Sequence, residues 1–211
     1  MEFQEYIERL KDSFISDNHT DEIKKAKQEF IAIGGELGNE VDSYEDILDI
    51  FFDWYIFDRP RIAERVTPLI AFLKNTELSE EEEQVYSSFV KNIHSIFVIK
   101  KSSSSIKVLD MFTKNKYMVD DAPLALVERG DVVEARLLPY KGGYRFSGAF
   151  CFYPNNIYPM IKAKAKQARK EGIENFTELI QKFRKLKTVW GRCSNIDIKK
   201  VYALMEEGLI A

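Results

Sequence analysis

Residues that commonly carry chemistry are scarce in this chain. Among 211 residues there are two histidines and two cysteines. Cys151 and Cys193 lie far apart with no partner pattern, so neither a disulfide framework nor a four-cysteine zinc site can be assembled from them. Both read as reduced, buried thiols. A Gly-x-x-x-x-Gly-Lys phosphate loop, a Gly-x-Gly-x-x-Gly turn after a strand and a Gly-x-Ser-x-Gly elbow are all missing. No apolar run approaches the ~20 residues needed to span a bilayer, and Met1 to Glu5 carry acids where a secretory leader carries bases. These absences lead to the expectation of a cytoplasmic, non-enzymatic protein with no membrane partner, no cofactor and no metal.

Charge, by contrast, is plentiful and unevenly placed. The net charge is -3. Residues 1–95 hold 10 Lys/Arg against 22 Asp/Glu, and residues 96–211 hold 21 against 12. An acidic half followed by a basic half points to electrostatic contact, within the chain or with a partner.

Hydrophobic periodicity divides the chain into three. Phe3, Tyr6, Ile7, Leu10 and Phe14 fall at helical spacing. A second helix buries Ile23, Ala26, Phe30 and Ile33 and stops at Gly34-Gly35. Ser43 opens a third, whose run from Phe51 to Phe57 is apolar over most of its circumference and leaves Asp46, Asp49 and Asp53 as a narrow acidic stripe. Pro60 and Thr67-Pro68 are places for the next helix to open or restart, and Ser79-Glu80-Glu81-Glu82 reads as a capping box. From Ser95 to Tyr153 the period shortens to two, with five strand-like runs and a hairpin signal at Lys141-Gly142-Gly143. In the last run Tyr144, Phe146, Gly148, Phe150 and Phe152 are expected to face the core. Helical spacing then returns, with starts at Asn175 and Ser194. The predicted fold class is α+β: an acidic all-helical domain over 1–95, a small five-stranded antiparallel barrel-like domain over 96–153, and a basic helical segment over 154–211.

Few residues qualify for a site. Asp17, His19 and Asp21 alternate in a loop as a metal clip would, but side-chain capping of the loop accounts for them better. The Asp46–Asp49–Asp53 stripe lacks the Glu-x-x-His partners of a di-metal bundle and reads as a solvated or contacting face. Nucleophilic chemistry at Cys193 would need a neighbour that lowers the thiol's pKa, and Arg192 beside it is only a weak hint of one. The candidates that remain are basic: Lys162, Lys166, Arg169 and Lys170 gather on one side of a helix, and Lys182, Lys185 and Arg192 extend them. Clustered bases neutralise phosphates and give salt-sensitive nucleic-acid binding. Docking of the basic half on the acidic half would use the same charges.

Trp54-Tyr55-Ile56-Phe57-Asp58, followed by Gly130-Asp131-Val132-Val133, Ala135-Arg136-Leu137-Leu138-Pro139 and Gly142-Gly143-Tyr144-Arg145-Phe146-Ser147-Gly148, resembles a poorly characterised group of bacterial proteins. These carry a Trp-[Phe/Tyr]-x-Phe-Asp helix ahead of a small β-barrel. Some relatives end in a zinc motif of the preprotein-translocase ATPase (SecA) type; its cysteines are missing here, so neither zinc nor a role assigned through it transfers. The resemblance spans roughly residues 45–152, implies the architecture and carries over no catalytic residue. The function expected from the sequence is a protein-interaction adaptor, with nucleic-acid binding through the basic helices as the alternative. The oligomeric state is open.

Overall fold

The computed structural model describes residues 1–15, 20–33, 44–62, 64–101, 106–120, 126–192 and 195–209. Five helices come first: α1 (Phe3–Ile15), α2 (Thr20–Ala32), α3 (Tyr44–Phe57), α4 (Pro68–Asn75) and α5 (Glu80–Phe89). The apolar set of α1 is buried as its spacing requires. At α5 the capping box forms in full: Ser79 Oγ accepts from the Glu82 amide while the Glu82 carboxylate accepts from the Ser79 amide. No helix opens at Pro60. Arg65 takes a left-handed φ of 56° and Thr67 is extended, so helical geometry resumes only at Pro68, where a missing N–H costs nothing. The Gly34-Gly35 terminator, the Ser43 cap, Asp17 and His19 lie outside the described residues, while Asp21 sits in the first turn of α2.

Five strands follow: β1 (Ile93–Lys101), β2 (Ile106–Asp110), β3 (Lys116–Val119), β4 (Val132–Tyr140) and β5 (Gly143–Tyr153). Their pairings close into a barrel in the order β1-β2-β3-β5-β4, with β4 returning to β1. The sheet is mixed, which corrects the expectation of an antiparallel one: β3 meets β5 in parallel at Val119 and Tyr144. The reason is arithmetic, since a closed ring with an odd number of strands cannot alternate in direction all the way round. Lys141 (φ 47°) and Gly142 (φ 83°) form the two-residue turn between β4 and β5. Gly143 belongs to the strand, where a Cβ would collide with the Asp120 carboxylate.

Three helices complete the chain: α6 (Tyr158–Lys170), α7 (Thr177–Arg192) and α8 (Ile198–Glu206). Asn175 Oδ1 accepts from the Thr177 amide at the start of α7. α8 is capped by Asp197, whose carboxylate accepts from the Lys199 amide, rather than by Ser194, which is outside the described residues.

Two apolar cores result. The smaller fills the barrel with Phe97, Ile99, Ile106, Val108, Val133, Leu137 and their neighbours. The larger joins α1 to α5, the outer wall formed by β1, β4 and β5, and α6 to α8 in one cluster. Both faces of β5 are therefore covered: Phe146, Phe150 and Phe152 pack on the inner core, while Ala149, Cys151 and Tyr153 join the outer one. The helices leave the outer faces of β2 and β3, and the end of β1, in contact with solvent.

Candidate functional site

Several charges sit where the outer wall of the barrel meets the helices. Arg136 on β4 is 1% exposed; it donates from Nε to Asp53 at 2.7 Å, from Nη2 to Asp58 at 2.5 Å and from Nη1 to Asn92 Oδ1. Its guanidinium also lies 4.9 Å from the Phe57 ring centroid. Two residues earlier, Glu134 binds Arg184 of α7 through both oxygens, contacts His94 Nε2 at 3.0 Å and accepts from the Tyr153 hydroxyl at 3.0 Å. Burial pushes the Glu134 carboxyl up, but the Arg184 guanidinium and the His94 contact outweigh it and hold the group well below the usual range. The cavity beside this network, lined by Asp53, His94, Glu134, Arg136 and Arg184, measures about 10 Å³, room for one water and not for a substrate. The His94–Glu134–Arg184 grouping, which resembles catalytic machinery, joins β1, β4 and α7, and Arg136 ties β4 to α3 through Asp53.

That network carries a pH prediction. A carboxyl whose folded pKa is depressed stabilises the fold fully above its unfolded value, and that stability is lost as pH falls toward the folded one. Urea unfolding followed downward from neutral pH is expected to show stability falling once the pH drops below the ordinary glutamate range. Glu134→Gln is expected to flatten this acid limb.

The sequence-predicted basic residues divide among several roles. Lys162, Lys166 and Lys170 are exposed along α6. Arg169 is tied down, its Nη1 donating to the carbonyls of Met111 and Phe112 at 2.7 and 2.8 Å. Lys182 pairs with Glu206 of α8 and lies 5.6 Å from the Tyr202 ring; Lys164 reaches the same carboxylate at 3.8 Å. Lys185 is half-buried and Arg192 is exposed near the end of α7. The seven candidates therefore do not form one surface. The acidic stripe is a contacting face in part: Asp53 is buried against Arg136 and Asp49 pairs with Lys11 at 2.8 Å. Among the described residues no group of three potential ligands could hold a metal ion, and no helix is long and apolar enough to cross a membrane.

The uncovered part of the barrel supplies cations that periodicity did not single out. Register places Lys100 opposite Lys107, and Lys107 opposite Met118; in the adjacent row Val98 faces Leu109, and Leu109 faces Lys116. Because alternate residues share a face, these six side chains lie on the outer wall, where Val98 is covered by the larger core and Leu109 packs against its edge. Lys100, Lys107, Lys116 and Met118 are exposed, and the three lysines have no ion-pair partner among the described residues. No acidic side chain belongs to either row. Facing lysines such as Lys100 and Lys107 repel one another across a strand pair, so this surface carries an electrostatic cost that a bound anion would relieve. The only signal in the sequence is a lysine at alternate positions of apolar strands, which is also how an ordinary solvated edge reads.

Searches of curated proteins and of solved structures found no match. A family model described as a family of unknown function, DUF7986, matches residues 2–188, from the start of α1 into α7 and across the whole lysine face. The chain belongs to that family.

Proposed function

We propose that this protein is a non-catalytic module that binds single-stranded nucleic acid, without sequence preference, across the outer faces of β1, β2 and β3. The observation that carries this reading is the pair of cross-strand rows in which Lys100, Lys107 and Lys116 stand without acidic partners around Met118 and Leu109. Lysines there meet phosphates, and Met118 with the accessible part of Leu109 offers apolar contact to unstacked bases, which a duplex hides. Lys162, Lys166 and Lys170 of α6 add cations at the flank. The strand order is that of the five-stranded barrels that bind oligonucleotides and oligosaccharides over their second and third strands, a fold-level analogy that agrees with the charge. The adaptor reading drew on opposed charges in the two halves, and several of these meet inside the chain, where Asp53 and Asp58 face Arg136.

Fluorescence anisotropy with a labelled single-stranded oligonucleotide tests the proposal. Binding is expected at low salt, weakening as salt rises. Replacing Lys100, Lys107 and Lys116 together by glutamine is expected to weaken it and to reduce the slope of log affinity against log salt by about one for each lysine. Undetectable binding at low salt, or an unchanged slope in the triple variant, overturns the proposal.

A further inference from the structure

The turn between β2 and β3 is held from both sides. Inside it, the Asp110 carboxylate accepts from the amides of Phe112 and Thr113, from the Thr113 hydroxyl and from Ser95 Oγ, at 2.7–3.2 Å. Outside it, the Arg169 Nη1 contacts to Met111 and Phe112 hold the two carbonyls. The Phe112 ring stacks on Phe176 at 4.6 Å. These restraints end at Lys114, which takes a left-handed φ of 67° and donates its amide to the Asp110 carbonyl at 3.1 Å. Lys162 lies two helical turns before Arg169, on the same side of α6. Burial and the nearby Arg169 and Lys162 charges pull the Lys114 ammonium's pKa down, with the sequestered Asp110 opposing them. Lys114 and Lys162 have no ion-pair partner among the described residues. Lys116 is two residues away, so this corner is the end of the Val98–Leu109–Lys116 row.

We propose that Lys114, Lys162 and Arg169 form a subsite for the terminal phosphate of the bound strand; this rests on the nucleic-acid reading above. Charge makes the choice between phosphates. An internucleotide phosphate carries one negative charge, whereas a phosphomonoester carries about -1.5 to -2 near neutral pH and presents three acceptor oxygens. Lys114 on the turn, Arg169 held against the same turn through Nη1 alone and Lys162 on the same side of α6 bring three positive charges to one corner, which matches the second better than the first. Elsewhere on this face the lysines are spread along the strands, as a chain of single charges requires.

The test compares one single-stranded oligonucleotide carrying a 5′-phosphate, a 3′-phosphate or hydroxyls at both ends, with inorganic phosphate as competitor. One phosphorylated form is expected to bind roughly tenfold more tightly than the hydroxyl form, the scale of an added charge-assisted contact. Inorganic phosphate is expected to erode that preference selectively. Lys114→Asn removes the ammonium with a residue that tolerates left-handed backbone, and is expected to reduce the preference to less than about twofold. Lys162→Gln is expected to act in the same direction from a different element. Equal binding of all three oligonucleotides by the unmodified protein overturns the terminal-phosphate subsite and leaves the lysine face standing. No binding of any of them overturns the underlying reading instead. A preference that survives both substitutions assigns the phosphate to other residues and also overturns the subsite.

Discussion

Arg136→Ala is expected to lower the stability of this protein by about 3–5 kcal/mol, the cost of removing one partner from a buried ionic group. The substitution leaves the side chain of Asp53, 8% exposed as a residue, facing the space vacated by the guanidinium, with Asp58 beside it. Asp53 Oδ1 already lacks a hydrogen-bond partner, so the loss of Arg136 leaves neither oxygen of that carboxylate paired, while Asp58 keeps His94 Nδ1 at 3.7 Å. Asn92 loses its donor as well. A urea denaturation series checks this as a lower midpoint at unchanged slope. Arg136→Met combined with Asp53→Leu is expected to recover much of the loss, because the damage lies in the uncompensated charge rather than in missing attraction. Failure of the double variant to improve on Arg136→Ala would show that the side-chain geometry, not the charge, holds α3 to β4.

Trp54→Ala is expected to cost a comparable ~3–5 kcal/mol by a different route, the loss of a large aromatic from a packed core. The indole is 8% exposed and lies 5.4 Å from the Phe30 ring and 6.2 Å from that of Phe51. Phe51 in turn contacts Phe52 and Tyr55, so the cavity opens in the middle of an aromatic cluster that cannot collapse without moving α2 against α3. The oligonucleotide binding proposed for the lysine rows is expected to persist in the folded fraction, since Trp54 is buried in α3 and belongs to neither row. Unchanged stability accompanied by lost binding would instead make the aromatic helix part of a recognition surface.

Local pattern carried much of the fold. The α1 face, the Ser79 capping box and the strand-like runs depend on neighbours within a few residues, and the sequence displays those directly. What it hides is pairing at a distance. The presence of five strands was readable, but their closure was needed to show that one pair must run parallel. The site divides in the same way. Spacing places Lys162, Lys166 and Lys170 together on α6. Nothing local reveals that Lys182 is neutralised by Glu206 or that Arg169 is committed to two carbonyls of the β2–β3 turn. Spacing along the chain cannot show that Lys100, Lys107 and Lys116 share a surface, because a cross-strand row exists only once register is known, and register is set by the barrel as a whole.

The pairing of Glu134 with Arg184 also orders events during synthesis. The carboxylate leaves the ribosome fifty residues before the guanidinium that compensates it, and an ionised group without that partner resists desolvation. Before α7 is made, Glu134 has His94 and the Tyr153 hydroxyl but no guanidinium, and burying it under the N-terminal helices alone is expected to be unfavourable. Final docking of the helical layers is therefore expected to come late and to depend on α7, and limited proteolysis of chains stalled before residue 184 is expected to find the outer wall of β4 still accessible.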